Sequence, residues 1–322
     1  MRSFPLSSDR FDRRTFGQRF GLALIFVLLM LALALLSDRF LTPANLTNIL
    51  RQTAINGIIS AGMTLVILTG GIDLSVGSVL ALSVTIGAAL MKQGWPVELS
   101  VLAALATGAG LGCINGVLIT LARIPPFIAT LGMLTMARGL TLMYTQGQPI
   151  TGFPAAFRWL GAGDIAGIPV PIALMLLVFV AGGFLLYRTS FGMQIYLLGD
   201  NPTAARLTGV PVNRLTVLVY TISGFCAALA GLILIARLDS AQPTIGLGYE
   251  LNAIAAVVVG GASFSGGEGG LVGTLLGALL IETLNNGLNL LNVSSLWEQV
   301  VKGVVIALAL LLYRAIGSRN SR

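Results

Sequence analysis

The chain has no histidine, so imidazole bases and histidine metal ligands are excluded. Charge is scarce: Asp, Glu, Lys and Arg make up 10% of 322 residues, against about 25% in soluble domains. There are two lysines, Lys92 and Lys302, and neither follows a glycine. No P-loop can form without that pairing, and the chain cannot hydrolyse ATP by that route. The two cysteines, Cys113 and Cys226, both fall in apolar segments. They read as small buried hydrophobes and imply no disulfide framework.

What is abundant is apolar surface. Hydrophobic residues are 56% of the chain, and the mean hydropathy is +0.91. Such a balance fits an all-α polytopic membrane protein better than a globular enzyme. The net charge of +7 could point to nucleic acid, yet no basic and aromatic platform exists for bases to stack on. The basic residues instead cluster in tails and loops, as expected of cytoplasmic segments.

A span needs about 20 apolar residues. Ten stretches qualify: Phe20–Ser37, Gln52–Ile72, Leu74–Met91, Leu99–Ala122, Pro126–Thr145, Ile165–Tyr187, Leu215–Ala236, Leu251–Gly267, Gly269–Leu290 and Leu296–Tyr313. The first follows Arg2, Arg10, Arg13, Arg14 and Arg19. Its length exceeds the roughly 7–15 residues of a cleaved signal core, so a retained span with a cytoplasmic N-terminus is expected. Ten spans then put twelve basic residues inside, five outside and two within spans. Both termini become cytoplasmic. Eight spans would satisfy the termini equally.

The expected organisation is a basic cytoplasmic tail over 1–19, one transmembrane domain over 20–313 and a cytoplasmic tail over 314–322. The longest charged loop, 188–214, lands in the cytoplasm.

Two ladders of small residues recur every four positions: Gly108, Gly112 and Gly116, with Asn115 alongside, and Gly269, Gly273 and Gly277. Such stripes let helix backbones approach closely in lipid. A weak internal echo aligns Gly70-Gly71 with Gly260-Gly261 at an offset of 190. On ten spans the echoing copies would run parallel.

Asp73 is the only charge between Gln52 and Met91, set among Gly70, Gly71 and Gly77. A carboxylate at bilayer depth costs roughly 2.5–3.5 kcal/mol on insertion scales and is expected to avoid lipid. The glycines permit a broken or closely packed helix. On a continuous helix, Gly70, Asp73, Gly77, Ser78 and Ala81 would share one small, polar face. Two readings stay open: a polar wall of a permeation path that includes Ser75 and Ser78, or a capping carboxylate at a helix start.

In the loop 188–214, Asn201 suits an N-cap, Pro202 the first helical position and Gly209 the stop. A two-turn helix bearing Ala204, Ala205 and Arg206 is expected, too short to stand alone in water. It must pack on its own domain or on a cytoplasmic partner. The glycine-rich run 260–270 has no lysine and no strand before it, so it reads as an interruption between spans. Glu282, Asn285 and Asn286 form a second polar cluster. Arg138 is a lone cation within a span, snorkelling to a surface or pairing with a carboxylate.

Gly70-Gly-Ile-Asp-Leu-Ser-Val-Gly-Ser78 resembles the signature of permease subunits of bacterial monosaccharide ABC importers. Pro125-Pro-Phe-Ile-Ala-Thr-Leu-Gly132 with Arg138-Gly139, the Gly199–Gly209 loop, and Ala241-Gln-Pro-Thr-Ile-Gly-Leu-Gly-Tyr-Glu250 are similar too. The resemblance runs from Phe40 to Tyr313 and is nearest the ribose branch; branched-chain amino-acid permeases are more distant. It implies a homodimer in the bacterial inner membrane, a cytoplasmic ABC ATPase that binds ATP and Mg, and a periplasmic sugar-binding protein. No cofactor or metal is expected in this chain, nor any catalytic residue. Gly199, Asp200, Asn201, Pro202, Ala204, Ala205, Arg206 and Gly209 would then couple to the ATPase. Asp73, Ser75, Ser78, Asn115 and Asn286 would line the sugar path. Asn252 departs from the family pattern, which usually places Asp there. The alternative is an ion-coupled secondary transporter that uses Asp73.

Overall fold

The computed structural model describes the backbone of residues 8–294 together with 297, 300, 303 and 304, and side chains from residue 21. Among these residues the chain is mostly helical. In order come α1 (Ser8–Leu36), α2 (Pro43–Leu68), α3 (Val76–Lys92), α4 (Val97–Thr120), α5 (Pro126–Thr145) and β1 (Ile150–Thr151). Then follow α6 (Ala155–Ala162), β2 (Asp164–Ile165), β3 (Ile168–Pro169), α7 (Val170–Arg188), α8 (Ser190–Asp200) and α9 (Pro202–Leu207). The described part closes with α10 (Val212–Leu238), β4 (Ser240–Ala241), α11 (Tyr249–Val259) and α12 (Leu271–Leu290).

Five of these helices, α4, α5, α7, α10 and α12, are long and apolar enough to cross a membrane. Of the span expected over Leu296–Tyr313, all but residues 297, 300, 303 and 304 lies outside the described residues.

Helix α10 is the axis of the fold. Most of its length from Leu215 to Ala236 is buried, and it packs against α2, α3 and α4. Close approach depends on missing side chains. A Cβ on Gly112 would sit 2.1 Å from the Tyr220 carbonyl oxygen, and one on Gly116 would sit 2.5 Å from Val217 Cα. Gly108 and Gly224 meet across the same seam. A second close seam joins α12 to α11, where Gly273 faces Gly260 and Gly277 faces Ala256. Gly269 is not part of that helix. It precedes α12 at φ +125°, packed on Ala262.

Several boundaries differ from the apolar runs. Helix α2 starts at Pro43, nine residues before Gln52, because Thr42 caps it and Pro43 supplies the first turn; Arg51 therefore lies inside a helix. The run Leu251–Gly267 is not one helix: α11 stops at Val259 and a glycine-rich loop follows. Residues 164–169 form a small hairpin of β2 and β3, so α7 begins only at Val170.

The glycines around Asp73 do accompany a break, so Gly70, Asp73, Gly77, Ser78 and Ala81 do not share the face of one continuous helix. Helix α2 ends at Leu68 and α3 starts at Val76. The break is a Schellman stop: Gly71 N–H donates to Val66 O at 3.1 Å and Gly70 N–H to Ile67 O at 2.9 Å, with Gly70 at φ +77°. The end of α11 repeats it. Ala262 N–H reaches Val257 O at 3.1 Å, Gly261 N–H reaches Val258 O at 2.9 Å, and Gly261 has φ +92°. The echo seen in the glycine pairs is thus a repeated helix stop, in a register one residue longer than the sequence alignment.

Candidate functional site

The turn between α2 and α3 buries Asp73 at 1% exposure. Ser75 donates to its Oδ1 twice, from the backbone at 3.0 Å and from Oγ at 2.6 Å. Ser223 on α10 donates from Oγ to Oδ2 at 2.9 Å. Asn115 on α4 donates from Nδ2 to Ser75 Oγ at 2.9 Å. Tyr220 lies one turn below Ser223 and its hydroxyl reaches Ile72 O at 3.4 Å. The carboxylate is thus the node at which the α2–α3 break, α4 and α10 are joined. Buried ionic groups of this kind hold only when their lone pairs are satisfied, and three donors do that here.

Of the path residues expected from sequence, the fold brings together Asp73, Ser75 and Asn115. Ser78 is buried in the first turn of α3. Asn286 is elsewhere. It forms a reciprocal amide pair with Asn45 on α2, at 3.0 and 2.9 Å.

That pair is one rung of a polar seam between α2 and α12. Further along, Asn56 Nδ2 donates to Glu282 Oε1 at 2.8 Å, and Asn285 Nδ2 reaches Glu282 Oε2 at 3.4 Å. Deeper still, the hydroxyls of Thr64 and Thr274 meet at 2.8 Å. Glu282, Asn285 and Asn286 therefore face the protein interior. The signal in α2 was available: Asn56, Ser60 and Thr64 recur every fourth residue, one face of a helix.

Arg138 on α5 neither snorkels nor forms a direct ion pair among the described residues. Its Nη1 donates to Pro243 O at 2.7 Å and Ile245 O at 2.9 Å, and Nη2 approaches Gly77 O at 3.4 Å. It thereby ties the segment between β4 and α11 to the start of α3. At that contact a Cβ on Gly77 would sit 2.2 Å from Gly246 O. Asn252 lies in the first turn of α11, half-buried.

Asn201 caps α9: its Oδ1 accepts from Thr203 and Ala204 backbone N–H at 3.1 and 2.9 Å. Pro202 occupies the first turn, and Gly209 follows at φ +81°. Ala205 is fully buried against the rest of its own chain, whereas Leu207 is 84% exposed with Pro202, Thr203 and Arg206 beside it. Gly199, at the end of α8, is wedged onto Leu68 O and Gly267 N. Gly267 N–H donates to Leu68 O at 3.0 Å. Asp200 continues the same contact on Gly267. The short helix is therefore one step removed from the Asp73 turn.

Comparison with known proteins agrees with this architecture. The family described as branched-chain amino acid transport system / permease component matches residues 45–310. The ribose import permease protein RbsC of Bacillus subtilis is 52% identical over 299 residues, covering 92% of this chain and 93% of that protein. RbsC of Escherichia coli K12 is 50% identical over 295 residues, with 90% and 92% covered. RbsC of Haemophilus influenzae is 46% identical over 318 residues, with 98% of both covered. With its buried polar network and membrane-length helices, the chain belongs to this family of transport permeases and is a multi-pass protein of the bacterial inner membrane.

Proposed function

We propose that this chain is the transmembrane subunit of an ATP-driven importer for a ribose-type monosaccharide. The observation that carries this reading is the near-50% identity to three ribose import permeases along almost the whole chain. A cytoplasmic ABC ATPase binds and hydrolyses ATP with Mg, and a periplasmic binding protein delivers the sugar. The chain itself holds no nucleotide site and no cofactor. Two copies assemble as a homodimer, each with about ten spans and both termini in the cytoplasm.

The geometry supplies a route for the ATPase's movement. The exposed face of α9 (Pro202, Thr203, Arg206 and Leu207) is received by the ATPase. Displacement of α9 passes through Gly199 to the end of α2 and the glycine loop, and from there to the turn that holds Asp73. Asp73 and Ser75 act in this scheme as the hinge beside the path. An ion-coupled carrier built on Asp73 is not favoured, because three donors already occupy that carboxylate.

Co-expression tests the assignment. The chain should co-purify with the ATPase encoded alongside it, and ATP turnover by the complex should rise with sugar-loaded binding protein. No association with any nucleotide-binding subunit would refute it.

A further inference from the structure

Between β4 and α11 the chain runs through a series of turns. Ile245 N–H donates to Gln242 O at 3.0 Å, Leu247 N–H to Thr244 O at 3.3 Å and Tyr249 N–H to Gly246 O at 3.2 Å. The turns leave the carbonyls of Pro243 and Ile245 over, and Arg138 Nη1 donates to both. One guanidinium thus supplies donors to two carbonyls of an irregular segment.

The segment also reaches into the membrane layer. Its start, β4, pairs with β1, next to Gly152, whose carbonyl accepts from Lys92 at the end of α3. Gly246, five residues on from Ala241, packs on Gly77 at the other end of α3. Gly77 is fifteen residues from Lys92, about 22 Å along a helix. Arg138 is seven residues from the end of α5 at Thr145, about 10 Å by the same measure.

At that depth irregular backbone survives only buried in protein or against a water-filled cavity. Ala241, Pro243, Ile245 and Gly246 are buried, but Gln242, Thr244 and Leu247 are exposed. Two of those three carry groups that both donate and accept hydrogen bonds. Two charged side chains lie nearby and both are engaged by the backbone: Arg138 is directed at carbonyls, and Glu250 Oε1 accepts from Gly248 N–H at 3.3 Å.

We propose that 242–248 is a wall of the solute path, with Gln242 and Thr244 as contacts for an uncharged, hydroxyl-rich solute and Arg138 as the residue that positions the segment. This deepens the sugar-permease reading and rests on it. An amide and a hydroxyl exchange hydrogen bonds with a polyol in either sense, without the strong fixed charge that would trap a passing solute.

Cysteine labelling of the complete ATPase complex in proteoliposomes tests this. Cys113 and Cys226 are first replaced by alanine, and Gln242→Cys, Thr244→Cys and Leu177→Cys are made singly. Leu177 is a 62% exposed position on α7 and serves as the lipid-side reference. A membrane-impermeant methanethiosulfonate cation is the probe. Cysteines at 242 and 244 should react, that at 177 should not, and modification at 244 should block ribose uptake and be slowed severalfold by ribose-loaded binding protein with ATP. Arg138→Gln should change the labelling rate at 244 by about tenfold, the effect of losing roughly 1.4 kcal/mol from a charged hydrogen bond, and Arg138→Lys should restore much of it. Reactivity at 242 and 244 equal to that at 177, or a disulfide linking two copies through residue 244, would overturn the proposal. So would labelling that leaves uptake untouched. Ribose uptake by the unsubstituted complex tests the transport reading separately, since labelling needs only water at the segment.

Discussion

Ser223 donates its hydroxyl hydrogen to Asp73 at 2.9 Å, and 150 residues of chain separate the two. That bond ties the break between α2 and α3 to the central helix α10. It also fixes what substitution should do. Asp73→Ala strands the donors of Ser75 and Ser223 in a buried site, at about 1–3 kcal/mol for each unsatisfied group. Asp73→Asn keeps one acceptor oxygen and costs less. Thermal unfolding of the detergent-purified protein should rank parent, Asn and Ala in descending order. Equal midpoints for Ala and parent would show that the network carries no stability.

The seam of α4 on α10 predicts a contrast between two nearby glycines. Gly112→Ala drives a Cβ against the backbone oxygen of Tyr220, which has no flexible end to move. Overpacking of this kind costs about 1–3 kcal/mol. Gly110→Ala meets nothing within 4 Å and should stabilise the helix by about 0.5–1 kcal/mol. Melting midpoints that shift in the same direction for both would contradict the packing described.

Helix α9 separates folding from docking. Leu207→Asp lies on its open face and should abolish co-purification with the ATPase while leaving stability within about 0.5 kcal/mol of the parent. Ala205→Trp is a different experiment, because that side chain points into the protomer; it should lower stability and association together. Asn201→Ala removes the cap at about 0.5–2 kcal/mol and should weaken association to an intermediate degree. Full retention of the ATPase by Leu207→Asp would remove α9 as the docking element.

The Asn45–Asn286 pair gives a fourth test. Asn286→Leu alone leaves the Asn45 amide without its reciprocal partner and should cost about 1–3 kcal/mol. The double variant Asn45→Leu/Asn286→Leu should cost less than the sum of the two singles, since apolar replacement of both partners strands nothing. Additive losses in a thermodynamic cycle would mean that the pair is not coupled.

How much of this was legible in the chain varies with range. The cap at Asn201 and the stop at Gly209 were readable because capping chemistry spans only a few residues. The small stripe of Gly108, Gly112 and Gly116 was readable for the same reason, although its partner face on α10 was not. Hydropathy misplaced the start of α2, because Asn45, Asn48 and Arg51 are polar yet lie inside a helix that Thr42 and Pro43 begin. It also made one span of Leu251–Gly267, since glycine and alanine are apolar in a loop as well as in a helix. Sequence placed Asp73 beside glycines that allow a break, and left open what the carboxylate meets. Its partners Ser223 and Asn115 come from helices far along the chain, and no local pattern announces them. The same holds for Arg138, whose acceptors are backbone carbonyls and leave no side-chain signature.

The central claim, that a separate motor drives sugar through this protein, is tested most directly by uptake in proteoliposomes. Vesicles carrying the chain with its ATPase, with ATP enclosed with the motor and loaded binding protein on the opposite face, should accumulate labelled ribose and stop when ATP is withheld. Vesicles carrying the chain alone, under a proton or sodium gradient, should accumulate none. Uphill uptake by the chain alone would contradict the account.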